Sequence, residues 1–84
     1  MEVRVDIEGK VEVLDLTRLY LLSELYPGVK VIASHPETKK LCKAVVMEVT
    51  ESSVIIKDLA RVIAPYRWRI SKGSLHERVY KINK

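Results

Sequence analysis

Apolar and polar residues alternate at the start of the chain. In "EVRVDIEGKVEVLD", a valine or isoleucine follows almost every charged residue on both sides of a glycine. This period of two predicts a β-hairpin over residues 2–14 with one buried face. A three-residue loop at residues 8–10 would place Ile7 opposite Val11, so that the apolar side chains of both strands share that face.

The spacing of apolar residues then changes to a helical one. Leucines recur every three or four positions in residues 17–26, which predicts a first helix, and "VKVIAS" at residues 29–34 predicts a short strand. Residues 34–49 predict a second helix, because an S-x-x-E capping box can begin it and one apolar stripe runs along it. Its three valines, which favour strands, argue against that helix.

The stretch "TESSVIIKDLARVIAP" admits two interpretations. As a helix over residues 52–64, it carries isoleucines and a leucine on one side and ends before a proline. As a strand, residues 54–57 would pair with residues 45–49 around "TESS". The helix is favoured because that loop lacks the Gly, Asn or Pro of tight hairpin turns. A second alternating segment over residues 66–82, with a Gly-Ser turn, predicts a C-terminal hairpin.

The order helix, short strand, helix, turn, helix, basic hairpin resembles that of winged helix-turn-helix DNA-binding domains over residues 17–82. The resemblance implies an α+β single domain spanning residues 1–84, with a three-helix core, a C-terminal wing and an extra N-terminal hairpin. The alternative is a small Sm-like or SH3-like β-barrel, which follows if residues 44–58 form strands.

The winged-helix resemblance also implies a set of nucleic-acid contacts. The helix over residues 52–64 would enter the major groove of DNA, the wing would contact phosphates or the minor groove, and lysines of the preceding helix would clamp the backbone. The implied contacts are Ser52, Ser53, Lys57 and Arg61 on the recognition helix, Arg67, Arg69, Lys72 and Arg78 on the wing, and Lys39, Lys40 and Lys43 on the preceding helix.

Composition narrows the class of protein. The chain has 84 residues, 48% of them apolar and 31% charged, which is typical of one folded domain. Few amide side chains and many Lys, Glu and Arg residues favour a thermophilic origin. A charged, alternating start and a single cysteine predict a cytoplasmic protein without a signal peptide or membrane span.

The net charge of +4 is unevenly distributed along the chain. Residues 1–60 carry eight basic and ten acidic side chains, a balance of −2, whereas residues 61–84 carry seven basic and one acidic, a balance of +6. A basic segment on an acidic body favours a polyanionic partner. Nucleic acid is the expected partner, and duplex DNA is favoured over RNA by the winged-helix resemblance.

The sequence offers few candidate residues for catalysis, metal binding or phosphate binding. The histidines and the cysteine (His35, His76 and Cys42) do not have the spacing of metal ligands, and the three glycines form no phosphate-binding loop. Trp68 is expected in the core more than at a base-stacking site. We therefore expect no enzyme, no cofactor and no metal site.

Three functions remain open. The leading hypothesis is a small transcriptional regulator or chromatin-associated factor that dimerises through its N-terminal hairpin. The second is a barrel that binds RNA or protein. The third is an accessory subunit that contacts only other proteins through its basic hairpin.

Overall fold

The computed structural model describes residues 2–7, 10–59 and 66–83, and these form a single antiparallel β-sheet with short helical segments. Seven strands lie in the order β1-β2-β7-β3-β4-β5-β6. The strands are β1 (Glu2–Ile7), β2 (Lys10–Arg18), β3 (Lys30–Ser34), β4 (Leu41–Val49), β5 (Ser53–Asp58), β6 (Arg67–Ser71) and β7 (Val79–Ile82). Within these residues, helical structure is limited to 3-10 turns at Leu22–Glu24 and Lys72–Ser74 and to the short helix α1 (Leu75–Arg78).

The predicted three-helix core is therefore wrong for the described residues. The first predicted helix shrinks to the turn Leu22–Glu24, and most of the second is β4. The expected capping box does not begin a helix, because His35 Nδ1 accepts the backbone N–H groups of Glu37 and Thr38 at 3.1 and 3.5 Å. The chain turns there and enters β4, where β-branched residues fit the pleated sheet.

The predicted recognition helix is also wrong. Residues 53–58 form β5, which pairs with β4 so that Val46 lies opposite Ile56 and Val49 opposite Val54. This is the pairing of the alternative interpretation. Residues 60–64 of the predicted helix lie outside the described residues.

A threonine closes the β4–β5 turn in place of glycine or asparagine. The hydroxyl of Thr50 accepts the backbone N–H of Ser53 at 3.0 Å, and the Thr50 N–H donates to the Ser53 carbonyl at 2.9 Å. The turn is thus held by a local side-chain hydrogen bond of the kind that Ser and Thr form in turns.

The predicted C-terminal hairpin, or wing, is wrong: its two strands exist, but they do not pair with each other. Strand β6 pairs with β5, whereas β7 lies between β2 and β3. The seven residues from Lys72 to Arg78 are helical and separate the two strands. Leu75 in this segment is fully buried and anchors it to the core.

The N-terminal hairpin is present, but its register differs by one residue from the expected one. Ile7 pairs with Lys10 and Val5 with Glu12, where the expected partners were Val11 and Val13. Because a shift of one residue moves a strand's side chains to the other face, Val11 and Val13 point outward and are 64% and 58% exposed.

Two apolar clusters hold the sheet. The larger lies on its inner face, between strands β3 to β7 and the two helical segments, and includes Ile56, Ile70 and Leu75. The smaller lies on the outer face, where the β1–β2 hairpin covers β3 through Val5, Leu16 and Ile32. The hairpin covers only part of the outer face, so polar side chains of β5 and β6 reach solvent there.

Candidate nucleic-acid interface

Cations from three strands meet on this uncovered part of the outer face. The cross-strand register aligns Lys30 of β3, Val45 of β4, Lys57 of β5 and Arg67 of β6 in one row. Arg69 follows two residues along β6, so it points to the same side. We call Lys30, Lys57, Arg67 and Arg69 the basic face.

The alternation along β5 and β6 explains why these side chains point outward. Ile56 and Trp68 lie next to them in sequence and are buried in the inner cluster. Successive residues of a strand point to opposite faces, so burying these two leaves Lys57 and Arg67 on the outside. Arg67 and Arg69 are exposed, and Lys57 is half-buried.

The basic face is electrostatically unbalanced. Lys57 lies directly opposite Arg67, and like charges in such cross-strand pairs destabilise a sheet. Among the described residues, no ion pair within 4.0 Å involves any of its four cations. Glu48 lies in the same row as Arg69 at two strands' distance, about 10 Å, and diagonally from Lys57 on the adjacent strand, but it forms no ion pair within 4.0 Å with either described cation. The face therefore presents a net positive charge that an anion would neutralise.

Lys43 extends this surface but has an acidic partner. It lies beside the basic face on β4, and its Nζ is 3.5 Å from Glu12 of β2. Both side chains are more than 40% exposed, so the pair contributes at most about 1 kcal/mol. Lys43 can exchange this carboxylate for another anion at little cost.

The structure brings together only some of the residues that the sequence predicted as contacts. Lys57, Arg67 and Arg69 share one face, with Lys43 next to them, whereas the others are dispersed. Ser53 is buried and bonded to Thr50, and Ser52 is in the adjacent turn. The dispersed cations are Lys39 and Lys40 in the β3–β4 turn and Lys72 and Arg78 in the helical segment, while Arg61 lies outside the described residues.

Lys30 is the member of the basic face that the sequence analysis missed. It precedes the buried Val31 in the strand "KVIAS", so alternation alone places it on the outer face. Its proximity to Lys57 depends on β4 pairing with both strands, which is a long-range property.

The rings of Trp68 and Tyr20 pack against residues that do not belong to the basic face. Trp68 is only 9% exposed, and its ring packs against His35 and Tyr66 with centroids 5.2 and 5.8 Å apart. Its indole N–H has no hydrogen-bond partner among the residues that the structure describes. Tyr20 stacks on His76 at 5.7 Å in a separate cluster. The described basic face thus offers cations without a base-stacking platform.

The described part of the chain gives little evidence of a reactive nucleophile or a metal site. No group of three or more His, Cys, Asp or Glu side chains is placed to hold a metal ion there. Burial, helped by the charge of Asp58, raises the pKa of the Cys42 thiol to about 11. Cys42 is therefore a protonated thiol at neutral pH and a poor nucleophile.

Comparisons with known proteins supply no relative: no family model matches the chain, and no curated protein or solved structure is significantly similar to it. None of the described helices has the length and apolar character to cross a membrane.

Proposed function

We propose that the protein binds nucleic acid through the basic face, by contacts to the phosphate backbone. The observation that carries this proposal is the row in which Lys57 and Arg67 stand side by side without an acidic partner. A phosphate between two such cations replaces their repulsion with two attractive contacts.

The shape of the surface favours backbone contacts over base reading. The basic face is a sheet surface, and the helix that was expected to enter a major groove is absent from residues 52–59. Phosphate contacts position a protein without reading sequence, whereas base recognition needs side chains at base edges or aromatic stacking. We therefore expect weak dependence of affinity on sequence.

Salt dependence of binding tests this proposal. Affinity for a fluorescent oligonucleotide is measured between about 50 and 200 mM salt, with duplex and single-stranded DNA and RNA in parallel. Neutralising phosphates releases counterions, so log affinity falls linearly with log salt. Lys57→Ala and Arg69→Ala should each flatten that slope by about 0.7 to 0.9. Lys72→Ala, an equal loss of charge on an exposed residue of the helical segment and not of the basic face, is the control and should leave the slope nearly unchanged.

Two results would contradict the proposal. One is the absence of binding to all four nucleic acids at low salt. The other is an equal effect of the Lys72 and Lys57 variants, which would mean that only net charge matters. Binding of poly-glutamate through Lys57 and Arg69, without nucleic-acid binding, would instead support a subunit that docks on acidic protein.

A further inference from the structure

Strand β1 forms an edge of the sheet in the described structure. It pairs with β2 on one side, and no described strand pairs with it on the other. Its six residues contain no proline, and its protection against pairing consists of the charges of Glu2, Arg4 and Asp6. Such an edge can add a strand by backbone hydrogen bonding where the incoming strand carries complementary charges.

The side chains of β1 alternate strictly between apolar and charged. Val5 points inward and is buried against Leu16, whereas Arg4 and Asp6 point outward and are exposed. Residues directly opposite each other in an antiparallel pair point to the same face. Two copies of β1 can therefore share an outward face only when even-numbered residues lie opposite even-numbered ones and odd opposite odd.

We infer that a second copy of this chain pairs with β1 in the register that centres on Val5. Within strand β1, this register places Arg4 of each copy opposite Asp6 of the other, which forms two ion pairs related by a twofold axis, and it leaves Glu2 outside the paired residues 3–7. Moving the centre to Arg4 sets Arg4 against its own copy and Glu2 against Asp6, so both contacts become repulsive. Moving the centre to Val3 sets Glu2 against Arg4, which is attractive, but fewer residues of the two strands then pair.

The surroundings of β1 fit this pairing. Val13 and Val11 are the cross-strand neighbours of Arg4 and Asp6, and both valines are exposed in the single chain. Each new ion pair would be flanked by valines, which would pack against the aliphatic part of Arg4.

Charge exchange tests the register directly. Arg4→Asp and Asp6→Arg are prepared separately, and self-association is measured by analytical ultracentrifugation over a concentration series. Each variant alone places like charges opposite each other, so its dimer should dissociate about tenfold more readily than that of the unaltered protein. An equimolar mixture of the two variants restores opposite charges at both contacts, and heterodimers should form within about threefold of the original affinity.

The controls are Lys72→Asp and Glu51→Arg, which make the same types of charge change at exposed residues away from β1. Both should dimerise normally, and circular dichroism establishes that every variant is folded. The inference is overturned if the unaltered protein stays monomeric at all concentrations, if the single variants dimerise normally, or if their mixture associates no better than either alone. The dimer does not depend on nucleic-acid binding, so the two proposals can fail separately.

Discussion

Neighbouring isoleucines at positions 55 and 56 provide a direct test of strand β5. A strand points consecutive side chains to opposite faces, whereas the predicted helix over residues 52–64 would bury both isoleucines along one side. In the structure Ile56 is 0% exposed and lies opposite Val46 and Trp68, while Ile55 is half-buried on the outer face. Replacing each isoleucine with alanine should therefore have unequal effects.

Burial sets the size of the difference. Truncating a fully buried isoleucine to alanine costs about 2–5 kcal/mol, and we expect about 3 kcal/mol at Ile56. At Ile55 we expect about 1 kcal/mol, the cost of an average substitution. A domain of this length has a free energy of unfolding of roughly 4–13 kcal/mol, so Ile56→Ala removes a large share of it.

Urea unfolding measures both losses. With a slope of about 1.5 kcal/mol per molar urea, Ile56→Ala should lower the midpoint by about 2 M and Ile55→Ala by about 0.7 M. If Ile56→Ala does not fold, valine substitutions at the same two positions still distinguish the strand from the helix. Ile56→Val should cost about 1 kcal/mol and Ile55→Val almost nothing. Equal losses at the two positions would refute the strand and support the helix.

Two further predictions concern a turn and a thiol. Gly28 has φ +95° and open space around its missing Cβ, so Gly28→Ala should cost about 1–2 kcal/mol in thermal unfolding, through backbone strain alone. Gly73 also has open space around it but no positive φ, so Gly73→Ala should be nearly neutral in the same assay. Because burial raises the pKa of Cys42 from 9.0 to about 11, the thiol ionises first in the unfolded chain, and stability should fall as pH rises through this interval. Cys42→Ala should remove that part of the pH dependence, and an unchanged profile would contradict it.

Local alternation in the sequence was sufficient to predict several strands. The segments around β1, β3 and β6 each have one buried and one exposed face, so their period of two is visible. The local pattern does not specify how these strands pair. Register and partner are set by contacts between residues far apart in the chain, and the hairpin register depended on a single loop residue.

Strand β4 shows why helical spacing was misleading. Its register shifts between Val46 and Glu48, and such a bulge interrupts the period of two. Val45 on its outer face is also partly buried, so apolar residues appear at adjacent positions, as on the wide stripe of a helix. A bulged strand with apolar residues on both faces thus imitates helical periodicity.

The charge asymmetry of the sequence identified a basic surface without locating it. Of the seven cations in residues 61–84, the basic face contains Arg67 and Arg69, and it draws its other two members from β3 and β5. Its charge density is therefore a product of strand register, because only the observed pairing sets Lys57 against Arg67. A one-residue slip of β5 would expose Ile56, bury Lys57 and abolish the site. The packing of Ile56 in the core and the anion-binding surface therefore depend on the same strand register.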